Sequence, residues 1–363
     1  MYKMCILLIP LLLITGCSLD NTQKKTEQEQ KVNQEVEEAV AASTEIIATN
    51  LTIPWTIAKQ DDMFYITQRE GKLIAINQET GNVTPQKLTL TKAVLHEGEG
   101  GLLGFVLAPD FETTQQAFAY HTYTQAGQMK NRVVVLQKNE DTWTEIKTLL
   151  ELIPGGRIHN GGRMRIGPDG MLYVTTGDSG EPELSQNKNS LAGKILRMNL
   201  DGTVPEDNPI QNSYIYSYGH RNPQGLAWDN EGNLYSSEHG QSAHDEINLI
   251  KPGSNYGWPV IQGDEEAPGM VKPIYHTGNI TWAPSGIDYH DGKLYIATLR
   301  DSKIRKLDLT NKSVSILHDK SGRMRDVYVE DTHLYSITSN RDGRGNPQED
   351  DDKLIKIELS SQE

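Results

Sequence analysis

The strongest constraint on this 363-residue chain is an internal repeat. A polar turn leading into an apolar or aromatic pair recurs as Asp62-Met63-Phe64-Tyr65, Ala117-Phe118-Ala119-Tyr120, Asp169-Gly170-Met171-Leu172-Tyr173, Glu231-Gly232-Asn233-Leu234-Tyr235, Asp291-Gly292-Lys293-Leu294-Tyr295 and Asp331-Thr332-His333-Leu334-Tyr335. Registered on Phe64, Phe118, Leu172, Leu234, Leu294 and Leu334, the copies lie 54, 54, 62, 60 and 40 residues apart. A repeat of this kind means supersecondary units that bury their apolar faces only against one another.

Each copy is followed by a second alternating segment, at 72–77, 132–137, 194–200, 246–250, 303–309 and 353–359. Alternation of period two, as in Ile304, Lys306 and Asp308 against Arg305, Leu307 and Leu309, fits a half-buried strand. The Asp-Gly and Asn-Gly turns supply the positive φ that tight hairpins need. Helical periodicity is absent after Ser43, and 15 Tyr against 4 Phe suits amphipathic β surfaces. The expected fold is all-β: a six-bladed β-propeller with four-stranded antiparallel blades over residues 44–363. The competing arrangement, a pair of β-sandwiches, predicts no regular internal similarity. Residues 45–53 are expected to add a strand to the last blade and close the ring.

Residues 1–16 read as a lipoprotein signal peptide. Lys3 supplies the positive region, Ile6 to Ile14 is an apolar run too short to span a bilayer, and Thr15-Gly16-Cys17 is a lipobox-like cleavage site. Residues 17–43 read as a flexible tether with Cys17 as the lipidated residue, being rich in Gln, Glu, Lys, Asn and Thr. The chain is thus expected outside the cytoplasm, bound to membrane through its lipid alone. Cys5 and Cys17 are the two cysteines, so the propeller body carries no disulfide and depends on core burial. The formal net charge of −14 argues against nucleic acid, which requires a basic face.

Four segments break the strand rhythm, and propeller loops gather at one end of the central channel. In Gly155-Gly156-Arg157-Ile158-His159-Asn160-Gly161-Gly162-Arg163, His159 is a side chain suited to proton abstraction near neutrality. In Gly219-His220-Arg221-Asn222-Pro223-Gln224-Gly225, Arg221 and Asn222 offer donors to an anionic or quinone-like oxygen. In Arg323-Met324-Arg325-Asp326, alternate residues of a strand share a face, so both guanidinium groups are placed for one anion. Arg300 follows a similar strand and adds a third arginine to a candidate carboxylate clamp. Ser237-Glu238-His239-Gly240-Gln241, with Asp245-Glu246 and Asn255-Tyr256-Gly257-Trp258, offers carboxylates and loop carbonyls to a hard cation such as calcium. Each segment taken alone reads equally as a polar blade turn or a solvated surface patch.

Other motifs fail. Gly98-Glu99-Gly100-Gly101-Leu102-Leu103-Gly104 is no dinucleotide fingerprint, because the third glycine is misplaced and no helix follows. Asp342-Gly343-Arg344-Gly345-Asn346 lacks an EF-hand's third-position ligand, His239 and His244 lack a third zinc ligand, and Glu349 to Asp352 reads as a solvated charge run.

Taken together, these segments resemble the soluble quinoprotein glucose dehydrogenase and aldose sugar dehydrogenase family over most of residues 51–359. The resemblance rests on the segments at 98–104, 159–163 and 219–227, on Leu191-Ala192-Gly193-Lys194-Ile195-Leu196-Arg197, on Asp245-Glu246-Ile247-Asn248-Leu249-Ile250, on Asn255-Tyr256-Gly257-Trp258-Pro259 and on Arg323-Met324-Arg325-Asp326-Val327. It implies oxidation of aldoses to lactones with bound pyrroloquinoline quinone and Ca2+. His159 would be the general base, and Arg221, with Asn222 beside it, the cation that stabilises the reduced oxygen. Arg300, Arg323 and Arg325 would clamp the cofactor's carboxylates, and Glu99 sits where the family places a cofactor-contacting group. The Gly240 and Gln241 carbonyls would hold the catalytic calcium, and Glu246 with the Tyr256 carbonyl a structural one. A sugar substrate, an external electron acceptor and a monomer follow.

Two features depart from the family pattern. Arg300 stands where a lysine is expected, and the loops between Trp258 and Trp282 are short, which favours the aldose sugar dehydrogenase branch. Two other readings stay open: a metal-dependent lactonase-like hydrolase, which needs carboxylates and amides around an axial metal in place of arginines, and a non-catalytic surface carbohydrate-binding propeller.

Overall fold

The computed structural model describes residues 43–359, together with Met1. Met1 and Ser43 apart, the expected signal peptide and the tether, with Cys17, lie outside the described residues. Among the described residues, twenty-four strands form six groups of four. Strand β1 (Thr44–Ala48) comes first. Blade one is β2 (Pro54–Gln60), β3 (Met63–Gln68), β4 (Lys72–Asn77) and β5 (Val83–Thr89); blade two is β6 (Leu102–Leu107), β7 (Gln116–Gln125), β8 (Gln128–Asn139) and β9 (Thr142–Pro154). Blade three is β10 (Met164–Ile166), β11 (Leu172–Thr176), β12 (Lys194–Met198) and β13 (Ile215–Tyr218); blade four is β14 (Pro223–Trp228), β15 (Leu234–Glu238), β16 (Glu246–Ile250) and β17 (Tyr275–His276). Blade five is β18 (Pro284–His290), β19 (Lys293–Thr298), β20 (Lys303–Asp308) and β21 (Val314–His318). Blade six is β22 (Met324–Glu330), β23 (His333–Thr338) and β24 (Leu354–Glu358), completed by β1.

The N-terminal strand closes the ring as expected. Thr44 pairs with Ile357, Ile46 with Ile355 and Ala48 with Leu354. The first strands β2, β6, β10, β14, β18 and β22 each touch the first strand of both neighbouring blades, so they form a closed circle around the axis. One pairing crosses blades: β5 runs parallel to β9, Lys87 to Thr142 through Thr89 to Thr144, which welds the outer edges of blades one and two.

The repeated apolar–aromatic pair is explained by burial on both faces of each blade. In β11, Leu172 and Val174 pack against blade two, whereas Tyr173 packs against blade four. In β19, Leu294 and Ile296 face blade four and Tyr295 faces blade six. Six apolar clusters of this kind, one per blade junction, form the core. In blade two the sequence register is off by one. Phe118 faces blade three and its neighbours Ala117 and Ala119 face blade one, because a single-residue shift exchanges the faces of a strand.

The charge run is also not what its composition implies. Asp351 and Asp352 are buried. Asp352 accepts hydrogen bonds from the Asn340 amide at 2.5 Å and Thr338 Oγ1 at 3.2 Å, so it pins the turn that follows β23.

Candidate active site

Two sets of loops open on one end of the ring: those leading into each first strand, and those joining each second strand to the third. Within a blade they pair. The loop into blade three carries His159 and the loop after β11 carries Asp178; in blade four, His220 and Arg221 face Glu238; in blade six, Arg323 faces Asp342. The residues with polar chemistry thus come from strand ends that point toward the axis.

His159 is held at its amide, its carbonyl and its ring. Its backbone is left-handed, with φ of 57°. Its amide donates to Glu99 Oε2 at 2.9 Å and its Nδ1 lies 2.7 Å from Asp178 Oδ1. Its carbonyl packs on Gly177, where a Cβ would stand 2.0 Å from that oxygen, so only glycine fits there. Asp178 is buried, and it also accepts hydrogen bonds from the Gly180 amide at 2.8 Å and Trp258 Nε1 at 2.9 Å. A carboxylate so furnished fixes Nδ1–H on its own side of the ring and leaves Nε2 as the basic nitrogen.

Trp258 carries the chain of contacts onward. The Arg221 guanidinium lies 5.3 Å from its ring centroid and donates from Nη1 to the His239 carbonyl at 3.3 Å. Glu238 holds the Arg221 amide and sits 2.9 Å from His220 Nδ1. Burial lowers the proton affinity of Arg221, while Asp178 and Glu238 oppose that shift and keep the cation. Asn222 Oδ1 accepts from the Gly161 amide at 3.0 Å, which ties the blade-three loop to blade four.

Two of the expected arginines, Arg300 and Arg323, line the remaining side. A cleft of about 710 Å³ is bounded by His239, Arg300, Arg323, Asn340, Arg344 and neighbouring loop residues. Arg300 is exposed there. Arg323 and Arg325 do reach one anion, as their spacing implies, but that anion is Asp342: its Oδ2 lies 2.7 Å from Arg323 Nη2 and 3.8 Å from Arg325 Nη2. Arg325 is buried deeper, donating to Gln224 Oε1 at 3.0 Å. Below it the axis is plugged by Arg163, which bonds Asp326 at 2.8 Å and stacks 4.3 Å from the Trp55 ring centroid.

The expected metal residues also converge in part. Gly240, Glu246 and Tyr256 line one small cavity with Glu238, of about 10 Å³, the size of one water or one ion. Gln241 is exposed. Burial, reinforced by the Glu238 charge, holds the Glu246 carboxyl well above the usual carboxylate range. No three His, Cys, Asp or Glu side chains among the described residues are grouped to hold a metal by themselves.

Sequence reasoning missed Asp178, Asp342 and Arg344 as members of the site, and quoted Trp258 without its role. The repeat contains a usable signal. Asp178 and Asp342 follow the second strand of their blades and Glu238 ends its own, so an acid lies four to eight residues past each of Leu172, Leu234 and Leu334.

The family model for glucose / sorbosone dehydrogenases matches residues 51–354. Quinoprotein glucose dehydrogenase B of Acinetobacter calcoaceticus is 34% identical over 262 residues, which are 63% of this chain and 55% of that protein, so the match spans about half of that relative's length. Aldose sugar dehydrogenase of Escherichia coli is 29% identical over 342 residues, 83% of this chain and 91% of the relative. Among solved structures, the PQQ-bound form of aldose sugar dehydrogenase from Streptomyces coelicolor has a TM-score of 0.81 and 37% identity, covering 88% of this chain and 99% of that one. A family match that runs from the approach to the first inner strand into the last strand of blade six means that the chain belongs to the glucose / sorbosone dehydrogenase family of oxidoreductases.

Proposed function

We propose that the protein oxidises aldoses at the anomeric carbon to lactones, with pyrroloquinoline quinone and calcium as resident cofactors. The observation that carries this reading is His159, an imidazole fixed by Asp178 and joined through Trp258 and Arg221 to an arginine-lined cleft.

The residues fit a planar polycarboxylated quinone. Asn222 Nδ2, Arg221 Nε, His239 Nε2 and Arg325 Nε are buried without a hydrogen-bond partner, a costly state that a ligand with oxygen acceptors relieves. Arg221 and Asn222 would hold the quinone oxygens, and Arg300, Arg323 and Arg325 would supply positive charge to the carboxylates. When bound, the quinone supplies the two-electron acceptor that no side chain offers. A structural cation beside Glu246 would draw on that carboxylate and the Tyr256 carbonyl, and a catalytic cation on the Gly240 and Gln241 carbonyls, donors suited to calcium.

The chain's own work is then acid–base and electrostatic. His159 Nε2 takes the proton of the anomeric hydroxyl, and Asp178 stabilises the resulting imidazolium through Nδ1–H. Arg221 places fixed positive charge where negative charge develops. The same reading puts the enzyme outside the cytoplasm, tethered through Cys17, with a separate electron acceptor and a single-chain active site.

The test is reconstitution of the purified protein with the quinone and CaCl2, followed by aldose-dependent dye reduction. Activity in the wild type and its loss in His159→Ala support the reading. Failure of the quinone to bind in an absorbance titration overturns it, and lactone hydrolysis without quinone transfers the site to a hydrolase.

A further inference from the structure

We infer that Glu99 is a positioning residue for His159, acting through the His159 backbone amide, and that Arg344 anchors Glu99 from across the cleft. The inference rests on the reading of His159 as the base; it gives Glu99 a task other than the cofactor contact that the resemblance implies, and gives one to Arg344, which that reading leaves without any.

A non-glycine residue at φ of 57° is held in a sparsely populated region, and such a backbone persists only where its surroundings over-determine it. The carbonyl side of His159 is secured by the Ser179 amide at 3.1 Å and by Gly177. On the amide side, the acceptor is the Glu99 carboxylate at 2.9 Å. The brace is reinforced nearby: the Glu99 amide donates to the Arg157 carbonyl at 2.8 Å, and Glu97 pairs with the Arg157 guanidinium. The loop into blade two is therefore clamped to the loop into blade three on both sides of Ile158.

The second carboxylate oxygen is taken as well. Glu99 Oε1 accepts from Arg344 Nη2 at 2.8 Å, a contact between residues 245 apart in the chain. Arg344 lies in the loop after β23, is 61% exposed on its side chain, and lines the cleft with Arg300 and Arg323. With both oxygens engaged by protein donors, the geometry of Glu99 is that of a bracket. Burial disfavours its charge, but the His159 amide, Arg344 and His239 outweigh burial and hold the carboxyl down at about 2. An ionised acceptor makes the stronger bond to the amide. Glutamine at this position keeps one acceptor for the His159 amide and loses the ion pair with Arg344.

The experiment uses Glu99→Ala, Glu99→Gln, Arg344→Met and the double variant Glu99→Ala/Arg344→Met in the full-length protein. In the reconstituted enzyme, Glu99→Ala is expected to lower kcat by roughly 10–100-fold with KM for the aldose nearly unchanged, because a displaced base loses rate and not binding. Glu99→Gln is expected to restore most of that loss, and the double variant to be no worse than Glu99→Ala alone, since Arg344 acts through Glu99. In quinone-free protein labelled with 15N-histidine, Glu99→Ala is expected to speed hydrogen exchange at the His159 amide by at least about 10-fold, and Arg344→Met by less.

A rise in KM without loss of kcat makes Glu99 a sugar contact and overturns the inference, as do additive losses in the double variant or unchanged exchange at His159. Should Glu99→Ala fail to fold, Glu99→Gln and the exposed Arg344→Met still separate the outcomes by the same two measurements. An exchange effect in a protein that shows no dehydrogenase activity leaves the bracket standing and defeats the proposed reaction instead.

Discussion

His159 Nδ1 stands 2.7 Å from Asp178 Oδ1, across the mouth of blade three, and Trp258 Nε1 holds the other oxygen of the same carboxylate at 2.9 Å. An acid shared between an indole and an imidazole sets the tautomer of the base. His159→Ala is expected to lower kcat/KM by roughly 10²–10⁴-fold, the usual contribution of a positioned base. Asp178→Asn is expected to cost a comparable factor, because it removes the charge that stabilises the imidazolium, and to lower the thermal midpoint, because its NH2 must face an N–H donor in place of one oxygen. Steady-state kinetics on the reconstituted variants, alongside thermal melts, check both.

Asp342 is the counter-ion of two arginines, at 2.7 Å from Arg323 and 3.8 Å from Arg325. Asp342→Ala leaves two largely buried guanidinium groups uncompensated, and the expected loss of stability is about 3–5 kcal/mol. Urea denaturation of the quinone-free protein measures it. Added quinone is expected to recover part of the loss, since its carboxylates would face the same cations.

Glu246 sits beside Glu238 at a cavity of about 10 Å³, and its carboxyl is raised by burial and by that neighbour. A bound cation must displace the proton, so calcium affinity is expected to rise with pH across the neutral range. Isothermal titration at two pH values tests the sign, and no calcium heat at either pH rejects the site. Chelation is expected to lower the melting temperature, and Glu246→Gln to remove that dependence.

Burial, with Arg132 adding to it, lowers the His121 imidazole to about 4, against the opposing Thr122 carbonyl and Glu145. A histidine depressed in the fold contributes its full share of stability above its unfolded value of about 6.5 and loses it as pH falls toward 4. The melting temperature is therefore expected to decline through that window. His121→Phe is expected to flatten the decline; a curve with unchanged slope assigns the acid sensitivity elsewhere.

The pairing of Ala48 with Leu354 closes the ring, and Ala48 and Leu51 are buried between blades one and six. Deleting residues through Ala48 strips the outer strand from blade six. The expected result is a melting temperature lower by roughly 5 °C, with the exposed edge of β24 promoting association visible by light scattering.

The second and third strands of every blade were legible in the chain. They pack on both faces, so Leu172 and Tyr173, or Leu294 and Tyr295, must both be apolar, and the repeat survives in sequence. The first strands were hidden. Met164–Ile166 has three residues and Pro223–Trp228 begins with Pro-Gln-Gly, and the axis takes Arg163, Gln224 and Arg325 into a polar hub that breaks the apolar alternation. In sequence they look like loops. The burial of Asp351 and Asp352 was hidden for a related reason: charge implies solvent unless neighbouring amides stand ready to receive it.

Local sequence determined how many blades there are, where their turns fall and which segments bear the reactive side chains, since alternation and turn chemistry act over a few residues. Closing the ring decided the partners. Asp178 lies 80 residues from Trp258, and Glu99 lies 245 residues from Arg344, so no local pattern records either contact. Their directions and charge states come from burial and from donors that only the folded circle brings within hydrogen-bond reach.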